Sequence, residues 1–242
     1  MVEYVERFYR KTVKPSDLIS FDVKIKESDL MIYAHSDLSQ FSYSLLDKER
    51  RSLEAYIRYK PQFQESLVPI DVDDFAPPIC KIMAESVKKA GVGPMAAVAG
   101  AVNDRLANEL LSKTTELIIE NGGDLFIRSL RERVIAIYVG ENSPFKSHIG
   151  LLISPGKTYG VATSSGKIGH SLSFGEADAV TIVARSSAVA DAWATSIGNL
   201  IHSKKDVEKA LKYCENIQEI IGVVVVFQDV LGVRGDIQLV NP

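Results

Sequence analysis

GVATSSGKIGHSLSFGEADAVTIVARSSAVADAWATSIGNL, residues 160–200, is the stretch whose reading decides how this chain folds. Almost every side chain in it is small, polar or β-branched. Cores are built mainly from bulk, whereas small residues let main chain close on a ligand. The segment therefore reads as a ligand site, and its pattern changes along its length. Thr163-Ser164-Ser165-Gly166 and Gly169-His170-Ser171 group hydroxyls, glycines and one imidazole, which predicts a polar turn. Such donors suit a phosphate or the polar edge of a heterocycle, while the plain reading of His170 is a loop histidine satisfied locally. Ala177–Arg185 alternates, with Val180, Ile182 and Ala184 on one face, and predicts a strand. A helix is expected over 187–202, capped by Ser186 or Ser187. On that helix Asp191 and Thr195 stand four residues apart and share a face. A carboxylate stacked on a hydroxyl can hold a hard cation such as Mg²⁺, completed by a carbonyl or phosphate oxygen. A serine-hydrolase elbow, Gly-X-Ser-X-Gly, is missing.

Working outward, GVGPMAAVAGAVNDRLANELL at 91–111 opens on two glycines and a proline and runs into a second helix poor in bulk. Its Ala96, Ala97, Ala99, Gly100 and Ala101 allow close backbone approach, and its free N–H groups suit an anion. The two Ala/Gly-rich helices are expected to pack on each other. ELIIENGGDLFIR at 116–128 reads as a hairpin turning at Asn121-Gly122-Gly123-Asp124. Those glycines would also let main chain lie against a ligand beside Asp124.

The remaining elements are scaffold. Leu18–Ile25 and Leu30–Tyr33 form a hairpin. A helix is expected over 37–60, capped by Asp37, wetted along Asp47–Arg51 and stopped by Pro61. Residues 61–72 read as loop or a short extended piece. A helix follows over 78–90, with Gly91 at its end. Strands are expected at 133–139 and 149–154, with His148 in a surface loop between them. A polar helix covers 204–219. Two C-terminal strands follow, the VVVV run at 223–226 being buried on both faces.

Composition narrows the partners. The 242 residues carry 28 Lys and Arg against 31 Asp and Glu, a net charge of −3, which argues against nucleic acid or a membrane surface. Cys80 and Cys214 lie far apart, with no metal-binding spacing, so a reducing cytoplasm fits. No apolar leader opens the chain, and no apolar run approaches the roughly 20 residues a spanning helix needs. A cytoplasmic location is expected.

Several of these strings resemble one family. ENGGDLFI at 120–127 is similar to the NLGGD-type turn of the ApbE-like flavin transferase superfamily, and ATSSG at 162–166 to its ATSG turn. DAVTIVARSSAVADAWATSIGNL at 178–200 resembles its strand followed by an ADA-x-AT helix. AVAGAVNDRLANELL at 97–111 resembles its KG-x-x-x-D helix. GVGPMAAVAGA, ENGGD and SSGKIGHSLSFGEADAV together look like a separate, cytoplasmic branch.

The resemblance implies an α+β fold of mixed, largely antiparallel sheets with packed helices around a flavin-nucleotide cleft. It implies one ApbE-like domain over 1–242: a divergent part at 1–90, a motif-bearing core at 91–202, and a C-terminal helix and strands at 203–242. By position, Asp191, Thr195 and the main-chain carbonyl of Ala96 match the metal ligands, with Mg²⁺ as the ion. Asn121, Gly122, Gly123 and Asp124 with Thr163, Ser164, Ser165 and Gly166 would line FAD or FMN. Asp104 matches the helix acid and His170 the family histidine, the two catalytic candidates. Ala99 stands where the family has lysine, and no proline follows His170. These departures favour a protein that binds flavin with Mg²⁺ without transferring it, serving a redox or sulfur-assimilation partner. Two alternatives stay open: an Mg²⁺-dependent transferase or FAD pyrophosphatase, and a non-enzymatic interaction or oligomerisation module. The oligomeric state is open, a dimer included.

Overall fold

The computed structural model describes residues 15–140, 143–146, 149–166 and 175–242. Eleven strands and six α-helices alternate among them. They are β1 (Ile19–Ile25), β2 (Ser28–Ala34), α1 (Ser39–Tyr59), α2 (Gln62–Glu65), α3 (Pro78–Lys88), α4 (Val98–Leu110), β3 (Leu117–Asn121), β4 (Asp124–Arg128), β5 (Arg133–Ala136), β6 (Gly150–Ile153), β7 (Thr158–Ser164), β8 (Ala179–Ala184), α5 (Ser187–Gly198), α6 (Lys204–Cys214), β9 (Ile220–Phe227), β10 (Val230–Gly235) and β11 (Gln238–Val240). Eight strands form one sheet in the order β1-β2-β3-β4-β7-β8-β9-β10, and three form a second in the order β11-β6-β5. Every pairing is antiparallel. The expected α+β fold of largely antiparallel sheets and packed helices is therefore what forms.

The large sheet is the middle of three layers, because its central strands are apolar on both faces. In β3, Leu117 and Ile119 join the core shared with the helices, while Ile118 joins the core beneath the small sheet. In β9, Val223 and Val225 point one way and Val224 and Val226 the other. A period-two apolar strand needs one covered face; a continuous run needs two.

Several boundaries differ from the sequence reading. Residues 62–65 form a single helical turn inside the expected loop. Pro94–Ala97 is a 3₁₀ turn, and the α-helix begins only at Val98. α5 ends at Gly198 and α6 at Cys214. Thr163 and Ser164 are the last residues of a strand, β7, rather than a turn. Glycine and serine mask β7 in the sequence, since neither favours a strand. Nor is Asp47–Arg51 simply a wet face: Glu49 is buried and accepts from Arg105 Nε at 3.1 Å and Nη2 at 2.8 Å. His148 and His170 lie outside the described residues.

No helix among the described residues is long and apolar enough to cross a membrane.

Candidate functional site

Three element ends converge: the β3–β4 turn and the starts of α4 and α5. The turn is tight because Gly122 and Gly123 take φ of 68° and 103°, a region that costs other residues energy. Asn121 and Asp124 pair across it, and Glu120 Oε1 accepts from Gly123 N at 2.8 Å. Two asparagines fasten the hairpin to α4. Asn121 Nδ2 donates to the Ala99 carbonyl at 3.2 Å, and Asn103 Nδ2 donates to the Asp124 carbonyl at 3.1 Å.

α4 and α5 touch main chain to main chain. A Cβ at Gly100 would stand 2.2 Å from the Ser187 carbonyl oxygen, so only glycine permits the approach. Ser187 Oγ reaches the Leu125 carbonyl at 3.1 Å, locking α5 to β4 as well. Ser186 is the N-cap of α5, its side chain accepting from Val189 N.

Asp191 sits where these contacts meet. Its Oδ2 accepts from Gly100 N at 3.1 Å, and the Ala99 N–H also turns towards it. Its carboxyl is hydrogen-bonded to that of Asp124. Burial pushes Asp191 up to about 7, with the charge of Asp104 adding to the rise and the amides of Gly100 and Ala99 opposing it. Burial also pushes Asp124 well above the usual carboxylate range, reinforced by the charges of Asp191 and Glu120, while the Thr163 amide pulls it back. Two buried carboxyls side by side share protons rather than both ionise.

Thr195 lies one turn beyond Asp191 on α5. The Ala97 carbonyl, as N-cap, takes the first bond of α4, so the Ala96 carbonyl lies outside that ladder. A carboxylate, a hydroxyl and a main-chain carbonyl are the oxygen donors a hard cation takes. Among the described residues no three His, Cys, Asp or Glu side chains gather as a metal-binding group. Any ion here would depend on the hydroxyl and the carbonyl.

The other sequence-predicted residues distribute around this corner. Thr163 pairs with Thr181 across β7 and β8, and their hydroxyls meet at 2.9 Å. A Cβ added at Gly198, the end of α5, would stand 3.2 Å from Ser164 Oγ, so this glycine leaves room for the serine side chain. Gly166 N donates to the Ala177 carbonyl at 3.0 Å. Asp104, the expected helix acid, faces the start of α5. Its carboxylate accepts from Ser186 Oγ at 2.6 Å, Ser187 N at 2.9 Å and Ala188 N at 3.1 Å, so its oxygens are engaged by the start of α5. Burial raises this carboxyl, and those donors oppose the rise. Sequence reasoning missed Asn103, Glu120, the bond of Ser186 to Asp104 and that of Ser187 to the Leu125 carbonyl. Asn103 carried a signal: it is an amide on an otherwise apolar face of α4.

The comparisons with known proteins bear on this geometry. A family model described as "AbpE bacteria" matches residues 10–228. A UPF0280 protein of Methanococcus vannielii is 40% identical over 228 residues, covering 91% of this chain and 92% of the relative. A UPF0280 protein of Methanocaldococcus jannaschii is 41% identical over 221 residues, covering 88% and 89%. Among solved structures, the flavin transferase ApbE from Vibrio cholerae superposes with a TM-score of 0.52 at 14% identity, covering 90% of this chain and 96% of that one. The ApbE protein of Thermotoga maritima superposes with a TM-score of 0.54, also at 14% identity, covering 90% and 97%. At that identity the structural likeness speaks for the fold. The family match, spanning most of the chain, goes further: this chain belongs to the AbpE bacteria family.

Proposed function

We propose that this protein binds a flavin nucleotide, FAD or FMN, together with Mg²⁺, where the β3–β4 turn meets the starts of α4 and α5. The observation that carries the proposal is the buried Asp124–Asp191 carboxyl pair, whose protonation burial favours; Asp191 lies on a helix that packs against the Pro94–Ala97 turn and carries Thr195 one turn further on. Such a pair is stabilised by a cation that replaces the shared proton. In this reading Asp191, Thr195 and the Ala96 carbonyl hold Mg²⁺. When bound, the ion neutralises pyrophosphate oxygens and polarises them. Gly122 and Gly123 keep the turn free of side chains against the nucleotide, and Asn121 and Asn103 hold that turn on α4. The Thr163–Gly166 segment provides a hydroxyl-bearing wall.

The protein binds rather than transfers. Ala99 supplies no side-chain cation at the position where the transferases carry lysine, and Asp104 is committed to α5. Its client is a redox or sulfur-assimilation protein, and its place is the cytoplasm.

The test is calorimetric titration of FAD and of FMN, with Mg²⁺ and with chelator, followed by chromatography of the mixture. Mg²⁺-dependent binding without products supports the proposal. No affinity for either flavin under both conditions overturns it. Release of FMN and AMP, or flavin attached to protein, moves the chain to the enzyme reading.

A further inference from the structure

α4 and α5 cap each other. Asp191, on α5, takes the amide of Gly100 in the first turn of α4 at 3.1 Å. Asp104, on α4, takes the amides of Ser187 and Ala188 in the first turn of α5 at 2.9 and 3.1 Å. It also takes the hydroxyl of Ser186, the N-cap of α5, at 2.6 Å. Each carboxylate therefore faces the positive end of the other's helix, where free N–H groups and the helix dipole favour negative charge. Between the two clamps lies Gly100, whose missing side chain lets the Ser187 main chain in.

The clamp has a directional consequence. Asp191 is four residues beyond Ser187, and Thr195 four beyond Asp191. Whatever fixes the first turn of α5 sets the rotation and height at which Asp191 meets the Ala99 and Gly100 amides, and with it the position of Thr195 one turn on. The three donors to Asp104 come from the N-cap and the first turn, so they resist rotation of α5 about its axis.

We infer that Asp104 is a positioning residue: it anchors the start of α5 on α4 and thereby aims Asp191 at the start of α4. For its functional consequence this rests on the proposed Mg²⁺–flavin site; the geometric coupling does not. In this reading, proton exchange with a ligand would require Asp104 to release donors that hold the start of α5.

Amide hydrogen exchange of wild type, Asp104→Asn and Ser186→Ala tests it, with Mg²⁺ titration in the presence of FAD alongside. Asparagine offers one acceptor oxygen and a competing donor, so it cannot satisfy both Ser187 and Ala188. Ser186→Ala removes one donor, leaves the carboxylate on two amides and preserves the fold. The reporter is the Gly100 amide, which bonds Asp191 and not Asp104, measured relative to β8 and β9 amides of the same variant. Its exchange is expected to accelerate about tenfold in Asp104→Asn, in line with the loss of a helix cap, and less in Ser186→Ala. Mg²⁺ affinity should weaken in the same order. Gly100 exchange unchanged relative to β8 and β9 in Ser186→Ala and in any folded Asp104→Asn overturns the inference. If wild type binds no Mg²⁺ while Gly100 responds, the positioning stands and the metal reading of the site falls. If Mg²⁺ binds equally to all three proteins while Gly100 does not respond, the positioning falls and the metal reading stands.

Discussion

Asp191 carries the clearest consequence of single-residue chemistry. An acid whose folded pKa is raised, here to about 7 by burial, holds its proton more tightly folded than unfolded. Its contribution to stability is full below the unfolded pKa near 3.8 and is lost as pH rises towards about 7. Without divalent cations, wild type is expected to lose about 2–4 °C more of melting temperature between acid and neutral pH than Asp191→Asn, as scanning calorimetry with chelator can measure. The proton and a cation compete for the same oxygens, so Mg²⁺ affinity should rise between about pH 6 and about pH 8. Equal affinity at both would count against Asp191 as a ligand.

Among the elements, the α4–α5 crossing and the β3–β4 turn are the least tolerant of change. Adding a methyl group at Gly100 brings it to 2.2 Å from the Ser187 carbonyl oxygen. Gly100→Ala is expected to destabilise by about 1–3 kcal/mol in urea unfolding and to weaken flavin binding, because the helices must separate where the site lies. In the turn, open space surrounds a Cβ at Gly123, but φ of 103° does not suit it. Gly123→Ala should cost about 1–2 kcal/mol through backbone strain alone. Much of this level was legible in the sequence. Asn-Gly-Gly-Asp announces its turn because few residues tolerate positive φ. Gly91 announces the end of α3, where it takes φ of 72°. β7 was not legible, because Gly160, Thr163 and Ser164 form a strand only by pairing with β4 and β8.

For the whole molecule, one network of charged side chains, running from the buried Glu116 to the exposed Asp17, ties the two sheets together. Arg133 of β5, in the small sheet, reaches Glu116, beside β3 in the large one, at 3.2 Å. It also holds Asp17 through two bonds at 2.7 and 2.8 Å. Burial works to raise Glu116, but donors from Ser129, Leu130 and Arg133 outweigh it, and its carboxyl ends below the usual range. The Arg133 hydrogen bond lowers Asp17 to about 2. Lowered carboxyls stabilise the fold above their unfolded pKa and lose that contribution as pH falls through the folded value. This slope opposes that of Asp191, so thermal stability should peak in acid solution, at about pH 4, rather than at neutrality. Arg133→Ala should cost about 3 kcal/mol and raise the midpoint of acid unfolding, as circular dichroism can follow, because it leaves Glu116 buried beside fewer donors. A flat stability profile from about pH 4 to about pH 8 would contradict the assignment of Asp191, and one flat from about pH 4 down to about pH 2 that of Glu116 and Asp17.

By itself the sequence marked the strands read at 18–25 and 116–128, the helices read from 37, 78 and 187, the glycine turns, and the motifs that resemble the superfamily's. Period, cap and backbone restriction act within a few residues and leave their trace in local order. Only the tertiary structure decided what the acids do. Asp104 meets Ser186 across 82 positions, Gly100 meets Asp191 across 91, and Glu49 meets Arg105 across 56. Whether a carboxylate there caps a helix, pairs with arginine or shares a proton depends on which donors packing brings to it. That is set by two helices pressed together at a glycine, not by the residues on either side of the acid.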